Sequence, residues 1–141
     1  MSRPTVVFDT NVLVAELAFP EEPSLCVALA ESGVAEVAVS PELLREFAAV
    51  LGYDHLPLSA RAPERRLRAV ERVVAVARVV EPAVRIDAAE DADDDAVLEC
   101  AVAAAADAVV SDDYHLRALD GIAGVAVLTR EAFLDRHADL S

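Results

Sequence analysis

Short runs of consecutive apolar residues, separated by segments long enough for helices, are the feature that most constrains how this chain can fold. The runs lie within residues 5–8, 36–39, 79–80, 108–110 and 125–128. Apolar residues occupy successive positions in these runs instead of alternate ones, which predicts strands that are buried on both faces. Strands that alternate with helices predict a three-layer α/β/α sandwich around a five-stranded parallel sheet.

Helices are predicted between these strands from start signals and from apolar residues at helical spacing. The clearest start is Ser40-Pro41-Glu42, where a capping serine, a proline at the first helical position and an acid in the first turn occur together. Glu46 lies at the edge of the apolar side of this helix. Residues 53–59 are predicted to be a loop, and further helices are predicted over residues 11–18, 24–31, 62–77, 93–106, 115–119 and 129–137.

Length and composition favour one domain without a membrane segment. The 141 residues are enough for a single core, so one domain is predicted over residues 1–141. No apolar stretch approaches the ~18 residues that a membrane span needs, and the first residues lead directly into the first strand. The two cysteines form no CxxC pair. Together these features predict a cytoplasmic protein with reduced thiols.

Acidic residues follow several of the predicted strands or lie near helix starts. Because the carboxyl ends of parallel strands open on the same side of a sheet, acids at these ends should share one rim. Taken alone, an acid such as Asp9 fits a helix cap as well as an active site. The long connection over residues 81–92 leaves the next helix free to start at the same rim. The acids in question are Asp9, Glu46, Asp94, Asp95, Asp112 and Asp113.

The charge balance points to metal chemistry at this rim. The net charge is −14, and the 12 basic residues are all arginine. Such acidity argues against a simple nucleic-acid coat protein, but it is compatible with a pocket that holds cations. Gathered carboxylates without a nearby lysine repel one another unless they bind a cation or become protonated. Oxygen ligands suit Mg²⁺ or Mn²⁺, which usually act on phosphates. Two such ions can activate a water and stabilise the leaving oxygen of a phosphodiester.

Four motifs resemble those of the PIN-domain ribonucleases, in order and in spacing. Any one of them is weak evidence, whereas the set of four is strong. They cover nearly the whole chain and read DTNVLV at 9–14, SPELLRE at 40–46, DADDD followed by LECA within 91–101, and VVSDDYHL at 109–116.

The resemblance implies a five-stranded parallel sheet between helices and a carboxylate cluster that binds Mg²⁺ or Mn²⁺. It implies endonucleolytic cleavage of single-stranded RNA by metal-activated water. Many bacterial members are toxins of toxin–antitoxin pairs, which dimerise and are neutralised by a small partner protein, so a homodimer and an antitoxin partner are expected. The implied ligand acids are Asp9, Glu46, Asp95 and Asp113, with Asn11 and Ser111 in supporting positions.

The sequence departs from the PIN pattern before the fourth acid. A small or basic residue is expected there, and this chain has Asp112. Either Asp112 or Asp113 could therefore face the metal. The spacing to His115 and Leu116 favours Asp113 and gives Asp112 a supporting place. An extra charge at this position could also repel RNA, and it is the one feature in favour of a PIN-fold binding subunit without catalytic activity.

Other functional interpretations of the sequence have less support. A phosphorelay receiver needs a lysine after its last strand, and a dinucleotide-binding enzyme needs a GxGxxG loop; the chain has neither. Arginines at helical spacing form one stripe, which is either a track for the RNA backbone or a solvated helix face. The stripe consists of Arg61, Arg65, Arg68 and Arg72.

Overall fold

The computed structural model describes residues 3–19, 23–53 and 56–137. A five-stranded sheet with strand order β3-β2-β1-β4-β5 runs through the middle of the molecule, and all four strand pairs are parallel. The first strand is therefore central, and its end lies beside the end of β4, where Phe8 pairs with Val110. The strands are β1 Thr5–Phe8, β2 Glu36–Val39, β3 Ala77–Val79, β4 Ala108–Val110 and β5 Ala126–Leu128.

Helices cover both faces of the sheet and bury two hydrophobic clusters. Val6 and Phe8 point to one face, where Phe8 meets Phe133 edge-on with ring centroids 5.7 Å apart. Val7 points to the other face and packs in the cluster that includes Leu98. The predicted α/β/α sandwich is thus confirmed. The helices are α1 Thr10–Leu17, α2 Leu25–Glu31, α3 Pro41–Val50, α4 Leu58–Arg61, α5 Pro63–Val76, α6 Ala92–Ala103, α7 Tyr114–Arg117 and α8 Arg130–His137.

The predicted loop over residues 53–59 and the predicted third strand differ from the structure. The predicted loop over residues 53–59 gives way at Leu58 to the short helix α4. The third strand runs over Ala77–Val79 instead of residues 79–80, directly after α5. This strand lies at the edge of the sheet and two of its three residues are exposed. It therefore lacks the continuous apolar run by which the buried strands can be recognised.

The helix α6 also ends earlier than predicted, at Ala103 instead of residue 106. Ala105 adopts a left-handed conformation with φ of 52°. The amide of Ala106 donates to the carbonyl of Ala101 at 2.9 Å, and the amide of Ala105 donates to that of Val102 at 3.1 Å. This is a Schellman ending formed without glycine, which is why no glycine in the sequence marks it.

A buried ion pair joins three helices on one side of the sheet. The side chain of Glu16 in α1 is 0% exposed, and it accepts hydrogen bonds from the amides of Cys26 and Val27 at the start of α2. It also accepts a bond of 2.9 Å from the guanidinium of Arg130, the first residue of α8. The charge of Glu16 is thus fully partnered, as a buried carboxylate requires. Among the helices that the structure describes, none is long and apolar enough to cross a bilayer.

Candidate active site

Asp9 lies at the centre of the rim, directly after β1. Its backbone amide donates to the carbonyl of Val110 at 3.0 Å, so the end of β1 is fixed against the end of β4. Asp9 is 6% exposed, and its carboxylate accepts a hydrogen bond of 2.8 Å from the Ser111 hydroxyl. Burial raises the pKa of Asp9, the bond from Ser111 lowers it, and the charge of Asp113 raises it again. The carboxylate is therefore held in one place while it is still repelled by a second acid.

Ser111 links the first and the fourth motif. It is fully buried after β4, and its hydroxyl both donates to Asp9 and accepts the backbone amide of Asp113 at 3.0 Å. One oxygen of the Asp113 carboxylate accepts the amide of His115 in the first turn of α7, so Asp113 caps this helix. One buried hydroxyl thus sets the relative position of two acids that come from neighbouring strands.

Glu46 approaches from α3, on the other side of Asp9. The serine cap predicted for this helix is present, since the Ser40 hydroxyl accepts the amide of Leu43 at 3.2 Å. Burial is the largest cause that raises the pKa of Glu46 to about 7, followed by the charges of Asp93 and Asp9. The buried hydroxyl of Thr10 lowers the pKa of Glu46, although it makes no hydrogen bond of good geometry within the described residues.

The acid that α6 brings to this cluster is Asp94, which differs from the prediction of Asp95. Burial, and then the charges of Asp113 and Asp9, raise the pKa of Asp94 to about 6. Asp95 is buried on another side of the helix, where its Oδ1 accepts the amides of Ala88 and Ala89 at 3.0 and 2.9 Å.

Helical geometry explains the difference between these neighbours. Successive residues of a helix point about 100° apart, so only one of two adjacent acids can face a given site. Asp95 shares its side of α6 with Glu99, four residues later, whose Oε2 accepts the amide of Ile86 at 2.8 Å. Both acids therefore hold the connection before α6. The acidic pair at i and i+4 was visible in the sequence and is the signal that could have separated Asp95 from Asp94.

The two other predicted supporting residues lie at the periphery. Asp112 is exposed, and its Oδ1 accepts the amide of Arg130 at 2.9 Å, so it binds the start of α8. Asn11 is also exposed, and its backbone amide lowers the pKa of Asp9. The side chain of Asp112 is therefore engaged away from Asp113.

The arginine stripe is only partly open to solvent or to a ligand. Arg72 makes two hydrogen bonds to the carboxylate of Glu31, at 2.9 and 2.8 Å, and a third to Ser24. The guanidinium of Arg61 donates to the carbonyl of Leu56 at 3.1 Å. Two of the four arginines are thus engaged within the fold, which weakens the interpretation of the stripe as an RNA track.

The donor set at the rim fits a hard divalent cation. Its members are carboxylates, which are the ligands that Mg²⁺ prefers in proteins. The pKa values of Glu46 and Asp94 are raised first by burial and then by neighbouring acids, Asp9 among them, and a bound cation would relieve that repulsion. Within residues 3–19, 23–53 and 56–137, no three acidic, histidine or cysteine side chains stand close enough together to hold an ion as they are. Coordination by three or more of these carboxylates therefore requires the side chains to rotate toward one another.

Comparison with known protein families decides the relationship. A family model described as PIN domain matches residues 5–115. The chain belongs to the PIN-domain family. PIN domains are in general nucleases and typically use divalent metals. A comparison with curated protein sequences gave no significant match. The region of the PIN match contains Asp9, Glu46, Asp94 and Asp113, together with Ser111.

Proposed function

We propose that this PIN domain is a Mg²⁺- or Mn²⁺-dependent endoribonuclease that cleaves single-stranded RNA. The observation that carries the proposal is the convergence of carboxylates on Asp9 from three separate parts of the chain. Beyond the effect of burial, the charge of Asp113 raises the pKa of Asp9, and the charge of Asp9 raises the pKa values of Glu46 and Asp94. Isolated surface acids do not perturb one another in this way, and perturbed carboxylates cluster at functional sites.

The metal ligands in this proposal are Asp9, Glu46, Asp94 and Asp113. Through its two hydrogen bonds, Ser111 fixes the Asp9 carboxylate relative to the backbone of Asp113. A bound divalent ion supplies an activated water and neutralises charge on the phosphate. Glu46, with a pKa of about 7, exchanges a proton near neutral pH while the site is free of metal.

The role in the cell and the partners are part of the same proposal. We propose a toxin of a type II toxin–antitoxin pair, acting in the cytoplasm as a homodimer and built as one domain over residues 1–141. A net charge of −14 favours a small antitoxin with a basic segment, because charge complementarity steers association.

The alternative of an inactive binding subunit has lost the feature that favoured it. It depended on the extra charge of Asp112, whose carboxylate accepts the amide of Arg130 and supports the start of α8. An acid that is engaged in this way has a structural role, and its presence does not argue against catalysis at Asp113.

The test is cleavage of a mixed-sequence single-stranded RNA with Mn²⁺, with Mg²⁺ and with EDTA. The wild type, Asp9→Asn and Asp112→Asn would be purified identically, because contaminating ribonucleases mostly need no metal. Asp112→Asn removes the same charge outside the cluster and is the matched control. We expect metal-dependent cleavage by the wild type and by Asp112→Asn, and none by Asp9→Asn. Equal cleavage by all three proteins, or cleavage in EDTA, would overturn the proposal.

A further inference from the structure

A cleft of about 640 Å³ opens directly beside the candidate active site. Asp94 and Asp113 are among the residues that line it, so a molecule in the cleft lies next to two of the proposed metal ligands. The volume is within the range of about 300–1,000 Å³ that is typical of pockets for small organic molecules. Its apolar wall consists of Ala88, Ala89, Ala92, Ala118 and Leu119.

The wall of the cleft is fixed in place by buried acids. Asp95 accepts the amides of Ala88 and Ala89, and Glu99 accepts the amide of Ile86, so the connection before α6 is tied to the helix at two levels. Both residues are buried, with exposures of 7% and 6%. A wall that is held in this way does not have to be ordered when a ligand binds, which lowers the cost of binding.

The lining has the chemistry of a nucleobase site. Small methyl groups leave room for a flat ring. His115, which also lines the cleft, offers an aromatic surface, and the ring of Tyr114 packs edge-on against it with ring centroids 5.7 Å apart. Aromatic side chains beside a groove are the usual stacking partners of unpaired RNA bases. The other polar side chains that line the cleft, apart from the proposed metal ligands, are the carboxylates of Glu90 and Asp91.

Ionised carboxylates accept hydrogen bonds and cannot donate them. They therefore complement the exocyclic amino group of cytosine, adenine or guanine, and they repel the carbonyl oxygens that uracil presents in its place. Cytosine and uracil are nearly equal in size, so a preference between them would depend on this group and not on shape.

We propose that the cleft is a nucleobase subsite, which seats a base of the RNA beside the scissile phosphate and favours bases that carry an amino group over uracil. The inference rests on the proposed ribonuclease function, since it assigns the substrate contacts of the same site. The subsite can be changed at Glu90 and at the wall residue Ala118 without altering a proposed metal ligand.

The test is binding of fluorescent oligo(C) and oligo(U), measured by anisotropy in Ca²⁺. The wild type should bind oligo(C) roughly tenfold more tightly than oligo(U). Glu90→Gln should remove the preference, because an amide can donate to a carbonyl as well as accept. Ala118→Leu should weaken binding of oligo(C) by filling the cleft. Ala132→Leu, at an exposed alanine of α8, is the matched control and should bind like the wild type.

The outcomes separate the two proposals. Equal binding of oligo(C) and oligo(U) by the wild type, or a preference that survives both Glu90→Gln and Ala118→Leu, would overturn the subsite. If the preference is present but the wild type cleaves no RNA in Mn²⁺ or Mg²⁺, the subsite stands and the ribonuclease proposal fails. If cleavage is metal-dependent but neither binding nor cleavage depends on the base, the ribonuclease proposal stands and the subsite fails.

Discussion

Replacing Asp94 or Asp95 with asparagine removes the same charge from adjacent positions of α6, yet the two changes should have opposite effects. Asp94 faces other carboxylates, whereas Asp95 is satisfied by the amides of Ala88 and Ala89. Asp94→Asn should therefore abolish activity and raise stability. Asp95→Asn should lower stability and retain activity.

The magnitudes follow from the surroundings of each carboxylate. Burial and neighbouring charges raise the pKa of Asp94 from 3.8 to about 6. Two pKa units correspond to about 3 kcal/mol, which solvent screening of this partly exposed group reduces to about 1 kcal/mol. Above pH 6 that amount destabilises the folded, metal-free protein, so Asp94→Asn should raise its Tm by about 4 °C. In Asp95→Asn, two charge-assisted hydrogen bonds become neutral ones, at a cost of about 2 kcal/mol.

Thermal unfolding in EDTA at pH 7.5 and RNA cleavage in Mn²⁺ measure the two effects separately. Loss of a group that only supports a metal ligand lowers activity by about 10–100-fold, so loss of a ligand itself should lower the cleavage rate by more than about 100-fold. Activity of Asp95→Asn should stay within about tenfold of the wild type, at a lower Tm. The reasoning is refuted if Asp95→Asn is the inactive variant, or if Asp94→Asn unfolds below the wild type.

Two further predictions concern the same cluster. The raised pKa of Glu46, about 7, means that the folded protein binds this proton more tightly than the unfolded chain does. Stability of the metal-free protein should therefore fall as the pH rises from about 4.5 to 7, and Mn²⁺ should restore it at pH 8. Melting curves of the wild type and Glu46→Gln measure this, and an identical pH dependence of both proteins would contradict it. Ser111→Ala leaves the Asp9 carboxylate and the Asp113 amide without their shared partner. It should cost about 2 kcal/mol in urea unfolding and about 10–100-fold in cleavage rate; a wild-type rate would show that Ser111 does not position the acids.

The parts of the fold that carry a strong local signal could be predicted from the sequence. The buried strands before Asp9 and Ser111 are continuous apolar runs, and parallel pairing then brings their ends together. The edge strand β3 and the ending of α6 gave no such signal. The spacing in the sequence pairs Asp95 with Glu99 on one side of α6, but which side of the helix faces the rim depends on how the connection over residues 81–91 packs against α6. That segment has no periodicity, and its course is determined by hydrogen bonds to Asp95 and Glu99.

The first strand to be synthesised, β1, lies at the centre of the sheet, so both of its neighbours are made after it. Asp9 is synthesised early, but its hydrogen-bond partner Ser111 follows 102 residues later, directly after β4. At a translation rate of about 5–20 residues/s, Asp9 waits roughly 5–20 s for that partner. A nascent chain therefore contains the first acid of the site long before it contains the site. Translation that stops before β4 releases a polypeptide in which Asp9 has neither Ser111 nor Asp113 beside it.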